Sequence, residues 1–278
     1  MHARLAIVAG VACLLLAGCG AGGHPGAGEP ATPAATAPAA GHAPAGGRGA
    51  AAGAAVGTAA QADRAVATAV ARTLAAGSAR TAVRIAVSGP AGTTTMGGEG
   101  VSDLRGGRGR MTLRYGTAAA ARIEVVYDRG VVYERLPVPS AGDRPWLRLD
   151  LSRLLGQPGG NDPAQTVRYL RAASGLADAG RERVRGVPTR RYRATLDLAR
   201  TADALPAGAR AAYLKLLAAQ GPTRRPAELW LDGQGRLRRL RYRGASGRAT
   251  ATFTTEYWDF GVPADVSLPP PDQVRAVG

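Results

Sequence analysis

The fold is decided by one stretch of the sequence, residues 122–136, which reads RIEVVYDRGVVYERL. From Ile123 onwards every second residue of its first half is apolar, as in a β-strand with one buried face. The pair Arg129-Gly130 predicts a tight turn, and the apolar run Val131–Leu136 predicts the next strand. These two strands are expected to pair antiparallel, because a parallel pair would need a long crossover between them.

Similar alternation continues on both sides of this stretch and predicts an antiparallel meander. The further strands are predicted at residues 83–87, 93–104, 111–115, 146–149, 181–185, 189–198, 227–231, 236–243 and 250–260. The second of them is interrupted by glycines, which suggests a bulge. Helices are predicted over 61–76, from Pro163 to Gly175, and over 207–220, where apolar residues recur at helical spacing or cap signals are present. The fold class predicted from this order is α+β.

The N-terminal 18 residues have the pattern of a secretory signal peptide, with basic Arg4 before the apolar run Leu5–Leu16. The segment Leu16-Ala17-Gly18-Cys19 resembles the lipobox of bacterial lipoproteins, in which the cysteine is joined to diacylglycerol. The apolar run is shorter than the ~20 residues of a membrane-spanning helix. The resemblance therefore implies a lipid anchor at Cys19, on the extracytoplasmic face of the cell membrane. The alternative is an ordinary cleaved signal peptide followed by an incidental cysteine.

Composition divides the remainder of the chain. Residues 19–60 consist mainly of Gly, Ala, Pro and Thr and have almost no large apolar side chain to bury, so a disordered tether is predicted there. A folded domain is predicted over 61–265. The Pro-rich tail over 266–278 is expected to be frayed.

The formal net charge is +16, with a sequence pI near 11.2. A basic chain is a candidate for binding nucleic acid or an anionic membrane surface. An exported protein is not expected to meet nucleic acid, so no such partner is predicted. The arginines alternate along the predicted strands without clustering in the sequence, which is typical of a solvated sheet face.

The placement of histidine and cysteine excludes most catalytic sites. All three histidines lie in the predicted signal peptide and tether, and the predicted domain has no cysteine. This removes Ser-His-Asp and Cys-His arrangements and the zinc sites built on those ligands. We predict no enzyme activity, no cofactor and no metal. The acids Glu124, Asp128, Glu134, Glu256 and Asp259 are expected to lie scattered on solvated strand faces.

Several short motifs resemble a known family. They are Trp146–Asp150 with the following Asp162-Pro163, the segment GRERVRGVPTRRY at 180–192, and the hairpin at 229–237. Together with the lipobox they resemble actinobacterial lipoproteins of the LppX/LprG type, which share their fold with the carriers LolA and LolB. The resemblance implies a strongly curved antiparallel sheet, a half-barrel, with helices covering its concave face. Some members of the family hold acyl chains between sheet and helices.

The expected function is that of a membrane-anchored lipoprotein which binds or carries lipid or another hydrophobic ligand between sheet and helices. Strand alternation alone supplies the predicted ligand-binding residues, which should point towards the helices: Val83, Ile85, Val87, Met111, Leu113, Ile123, Val125, Tyr192 and Leu196. A regulatory or scaffolding lipoprotein that binds an envelope protein partner is the alternative, and it needs no cavity. An enzyme would need converging polar groups, which the sequence does not show.

Overall fold

The computed structural model describes residues 61, 64–90, 92–115, 122–135, 145–150, 163–204, 207–219, 222–246 and 249–276. The predicted signal peptide, the tether and Cys19 lie outside these residues. Twelve strands are described, and they form one sheet. The strands are β1 Ser78–Gly89, β2 Gly92–Asp103, β3 Arg108–Tyr115, β4 Arg122–Asp128, β5 Val131–Arg135, β6 Trp146–Asp150, β7 Ala173–Val184, β8 Val187–Asp197, β9 Arg224–Asp232, β10 Leu237–Ser246, β11 Ala249–Trp258 and β12 Val274–Ala276.

The sheet consists of two meanders joined at its centre. Its strand order is β12-β6-β5-β4-β3-β2-β1-β11-β10-β9-β8-β7, and every neighbouring pair is antiparallel except β12 with β6. The first meander runs from β1 to β6 and the second from β7 to β11, with β1 paired to β11. The predicted antiparallel sheet is thus confirmed. The protein is mostly β, with a few short helices, and the strong curvature of a half-barrel stays a prediction.

The helices are short. Helix α1 covers 64–75, α2 is Pro163–Tyr169, and α3 is Ala207–Ala219, with 3-10 helices at Leu170–Ala172 and Leu198–Ala204. The buried side of α1 consists of Val66, Ala69, Val70 and Thr73, which recur at helical spacing. After α1 the chain turns at Gly77, whose φ of 80° favours glycine.

The segment after α2 differs from the prediction. The predicted helix reached Gly175, but strand β7 begins at Ala173, which pairs with Leu196 of β8. The β7–β8 ladder shifts register between Ser174 and Ala177 and again between Asp178 and Arg181. Irregular register breaks the period-2 pattern. For this reason the sequence showed only the last part of β7.

The C-terminal tail also differs from the prediction. Instead of being frayed throughout, it supplies β12, which pairs in parallel with β6 over residues Val274 to Ala276. Without β12, strand β6 would be an edge strand with unpaired backbone groups. The tail covers that edge.

Most of the buried apolar residues that the structure describes fall into two hydrophobic clusters. The first packs all three helices against the inner face of β7–β11 and includes Leu196, Leu229, Leu240 and Tyr257. The second is built from β1–β4 and has no helix residue among its described members: Val83, Met96, Met111, Leu113, Ile123, Val125 and Tyr127, with Ile85 and Val132 packed against it.

Candidate ligand-binding face

The register aligns the inner-face residues of the first meander into two neighbouring cross-strand rows. One row passes from β1 to β4 through Val83, Gly98, Leu113 and Ile123. The other passes from β1 to β6 through Thr81, Gly100, Met111, Val125, Glu134 and Leu147. Since residues in register share a face, these rows form the floor of the second cluster.

The structure separates the nine predicted ligand-binding residues. Those buried in the second cluster are Val83, Met111, Leu113, Ile123 and Val125, with Ile85 packed against them. Val87 is half-buried near the end of β1. On β8, Leu196 belongs to the first cluster and Tyr192 packs against it. The nine residues share the inner face, but only the last two lie in or against the cluster that contains the helices.

Two glycines on the inner face of β2 were not recognised as part of this floor. A Cβ atom at Gly98 would lie 2.0 Å from the carbonyl oxygen of Thr112, and one at Gly100 would lie 1.9 Å from that of Arg110. The ladders of β2 with β1 and β3 show no register shift, so the suggested bulge is wrong. Glycine is required here because the β3 backbone approaches too closely for any side chain.

Glu134 is the one buried acid of the second row. It lies between Val125 and Leu147 in register and is 4% exposed. None of the hydrogen bonds or ion pairs of the described side chains involves its carboxyl group. Burial raises the pKa of this group from 4.5 to about 7. The sequence had placed Glu134 among the solvated acids, and that prediction is wrong.

An open groove of about 760 Å³ lies between α1 and the adjoining ends of β7, β8 and β9. It is lined by Ala65, Thr68, Arg72, Arg181, Glu182, Arg183, Pro188, Thr189, Arg190, Tyr192, Leu231, Asp232, Gly233 and Gly235. Tyr192 and Leu231 also belong to the first hydrophobic cluster or pack against it, so the floor of the groove is the flank of the core. The volume is within the range of roughly 300–1,000 Å³ that small-molecule sites occupy.

The α1 wall of the groove is fixed at its C-terminal end. The Thr73 hydroxyl accepts a hydrogen bond of 2.8 Å from the backbone N–H of Leu237. Arg72 donates to the carbonyl oxygen of Gln234 at 2.6 Å, and Arg105 donates to that of Ala75 at 2.6 Å. The bonds of Arg72 and Thr73 tie α1 to the β9–β10 turn and the start of β10, and the bond of Arg105 ties it to the β2–β3 turn.

The charges at the groove are partly neutralised. Arg190 forms an ion pair with Asp178, which lowers the pKa of that carboxyl group. Asp232 accepts from Arg236 and Arg238, at 3.1 and 2.9 Å. Hydrogen bonds from the backbone and side chain of Arg236 and from Arg238 outweigh burial and lower the pKa of Asp232. Arg72, Arg181 and Arg183 have no ion pair with a described carboxylate, so the rim is basic.

The described part of the chain holds no group of three or more side chains suited to binding a metal ion. None of its helices has the length and apolar character needed to cross a bilayer.

Comparison with known proteins gives distant likenesses. No protein-family model matches the chain. A curated relative, an uncharacterized 31.2 kDa protein from the rplA-rplJ intergenic region of Streptomyces griseus, is 29% identical over 144 residues. The match covers 47% of each sequence, so the chain spans about half the length of that relative.

Solved structures with a similar chain path include two mycobacterial proteins and a LolA-superfamily protein. LprF from Mycobacterium bovis has a TM-score of 0.44 and 13% identity, over 75% of this chain and 97% of its own. The lipoprotein LppX from Mycobacterium tuberculosis has a TM-score of 0.37 and 18% identity, over 73% and 98%. A LolA-superfamily protein from Nitrosomonas europaea has a TM-score of 0.33 and 10% identity, over 70% and 93%. The resemblance predicted from the sequence is confirmed, as a distant one.

Proposed function

We propose that the protein binds a lipid or another hydrophobic ligand, with the groove beside α1 as its binding site. The observation that carries this proposal is the continuity between the groove floor and the hydrophobic core. Tyr192 and Leu231 contribute to both. A ligand in the groove would bury its apolar part against this flank, and each buried CH₂ group is worth about 0.8 kcal/mol.

The rim of the groove favours a ligand with an anionic end. Arg72, Arg181 and Arg183 surround an apolar floor, and guanidinium groups bind carboxylates and phosphates by paired hydrogen bonds. An amphiphile with an acyl chain and an acidic headgroup matches both parts of the site. Tyr192 is the one member of the predicted ligand-binding set that lines this groove.

The proposal includes the anchor predicted at Cys19, which would place the domain at the extracytoplasmic face of a membrane. A carrier in that position could take its ligand from the same membrane. The absence of enzyme activity remains an expectation from the sequence. A regulatory lipoprotein with a protein partner remains the alternative, and it predicts no lipid in the groove.

The experiment compares two substitutions on α1. Ala65 lines the groove, whereas Ala67 is exposed two residues away. Ala65→Trp should narrow the groove and lower the binding of a fluorescent long-chain fatty acid at least tenfold. Ala67→Trp adds the same side chain outside the groove and should leave binding unchanged.

Thermal unfolding of both variants provides the control for folding. Equal binding by the wild type and both variants would place the fatty acid elsewhere. A purified wild-type protein that binds no fatty acid and carries no extractable lipid would overturn the proposal in favour of the regulatory alternative.

A further inference from the structure

The strand register aligns arginines across the outer face of the sheet. One cross-strand row runs through eight consecutive strands, from β8 to β4, and consists of Arg193, Glu228, Arg241, Thr254, Arg84, Gly97, Arg114 and Arg122. We call these eight residues the arginine row. At about 4.8 Å between strands, it extends for roughly 34 Å. Five of its positions are arginine and one is acidic.

Most of these arginines have no counter-charge. Arg241 forms an ion pair with Glu228, which is also bonded to Arg191 from a neighbouring row. These bonds offset the burial of Glu228 and lower its pKa. The carboxylate of Glu228 is thus already paired with Arg191 and Arg241. Within the described residues, Arg84, Arg114, Arg122 and Arg193 form no ion pair, and all four are exposed.

The row next to it shows what a neutralised surface of this sheet looks like. Two acids of that row, Glu99 and Glu256, accept from Arg185 of the β7–β8 turn, at 2.7 and 2.8 Å. The Arg185 guanidinium also stacks over the Trp258 ring at 3.6 Å. Arg239 bridges Glu256 and Glu182, at 2.8 and 3.2 Å. Arg239 and Arg191 in that row both form ion pairs within the protein. The arginine row differs in having one acid, Glu228, against five arginines.

The sequence around the arginine row is correspondingly poor in acids. Residues 84–98, 104–123 and 240–255 contain neither Asp nor Glu. Their described residues include β3 and parts of β1, β2, β10 and β11, which are neighbours in the sheet. Thr254 has a short side chain and Gly97 has none, so neither covers the guanidinium groups beside it. Water and salt screen the repulsion among these exposed cations, and a bound anion would offset it further.

We propose that the arginine row is a docking surface for anionic lipid headgroups of a membrane. Phosphate groups in a bilayer are spaced at intervals that a line of guanidinium groups can bind together, and each contact is bidentate where the geometry allows. Basic residues near an anionic membrane surface contribute about fivefold each to binding. The surface lies on the outer face, away from the groove beside α1. The docking proposal is thus independent of the proposed ligand.

The test uses the full chain and two triple variants with the same change in charge. The row variant carries Arg84→Gln, Arg114→Gln and Arg122→Gln. The control variant carries Arg64→Gln, Arg171→Gln and Arg275→Gln, which are exposed arginines on other elements. Sedimentation with vesicles of phosphatidylcholine alone, or with 30% phosphatidylglycerol, gives a partition ratio between anionic and neutral membranes. The N-terminal anchor contributes equally to both vesicles, so the ratio reports the domain.

The wild type should prefer the anionic vesicles, and the preference should weaken with added salt. The partition ratio of the row variant should be at least tenfold lower than that of the wild type, while the control variant should retain most of the wild-type ratio. An equal loss in both variants would show that net charge, not the row, attracts the protein. A wild type without preference for anionic vesicles would also overturn the proposal. Free inorganic phosphate at millimolar concentration should compete weakly, and complete competition would indicate a soluble anion as the ligand instead.

Discussion

Replacement of Glu134 by glutamine should remove a pH-dependent loss of stability. In the unfolded chain this carboxyl group loses its proton near pH 4.5, whereas in the folded protein burial raises its pKa to about 7. Between these values the folded state binds more protons than the unfolded state. The free energy of unfolding therefore falls as pH rises from 4.5 to 7.

The size of this loss follows from the two pKa values. Each pKa unit corresponds to about 1.4 kcal/mol, so the full loss is about 3 kcal/mol. It is complete above pH 7 and absent below pH 4.5. At 4% exposure the side chain has little water to screen this cost. Glutamine is nearly isosteric and stays neutral. The free energy of unfolding of Glu134→Gln, relative to that of the wild type, should therefore increase by about 3 kcal/mol from pH 4.5 to pH 8.

Urea denaturation of the wild type and Glu134→Gln at these two pH values measures the difference directly. Any constant cost of burying the amide cancels in the comparison. The matched control is Glu124→Gln on the adjacent strand β4, whose side chain is 54% exposed and lies 3.6 Å from Arg135. Because this ion pair is exposed, Glu124→Gln should change the stability by less than about 1 kcal/mol. If Glu134→Gln gave a stability difference that did not change with pH, the carboxyl group would not be buried as described.

Two further predictions concern the backbone and the anchor. Gly98→Ala should destabilise the protein by about 1–3 kcal/mol or more, because its Cβ would meet the Thr112 carbonyl oxygen at 2.0 Å. Gly233→Ala, with nothing within 4 Å of its Cβ, should be nearly neutral, and equal effects of the two in urea denaturation would refute the close approach of β2 and β3. Cys19→Ala should leave an uncleaved precursor without lipid, and fatty-acid labelling as strong as that of the wild type would contradict the anchor.

Much of the strand content could be predicted from local pattern. The alternation in residues 122–136 identified β4, the turn at Arg129-Gly130 and β5, since side-chain direction in a strand depends only on sequence position. The same rule found most other strands and the helical stripe of α1. It failed at β7, where two register irregularities break the alternation. It also failed at β12, whose three residues are too few to show alternation and form a strand by pairing with β6.

The candidate site was predictable only in part. Alternation assigned the nine predicted residues to apolar strand faces, but it could not tell which strands become neighbours. Strand order put Tyr192 and Leu196 in or against a different cluster from that of Leu113 and Val125. The groove beside α1 joins residues up to about 170 positions apart, from Ala65 to Gly235, so no local pattern could reveal it.

What the sequence by itself determined is the alternation of apolar and charged residues along each strand, because that pattern sets one face to the core and the other to water. Only the tertiary structure decided which charged side chains become neighbours across the sheet. Glu134 is buried because its cross-strand neighbours are Val125 and Leu147, although its sequence neighbours suggest an exposed acid. The arginines that appear scattered in the sequence align as Arg84, Arg114 and Arg122 through pairing register. Register depends on contacts between distant strands, and a single strand carries no record of them.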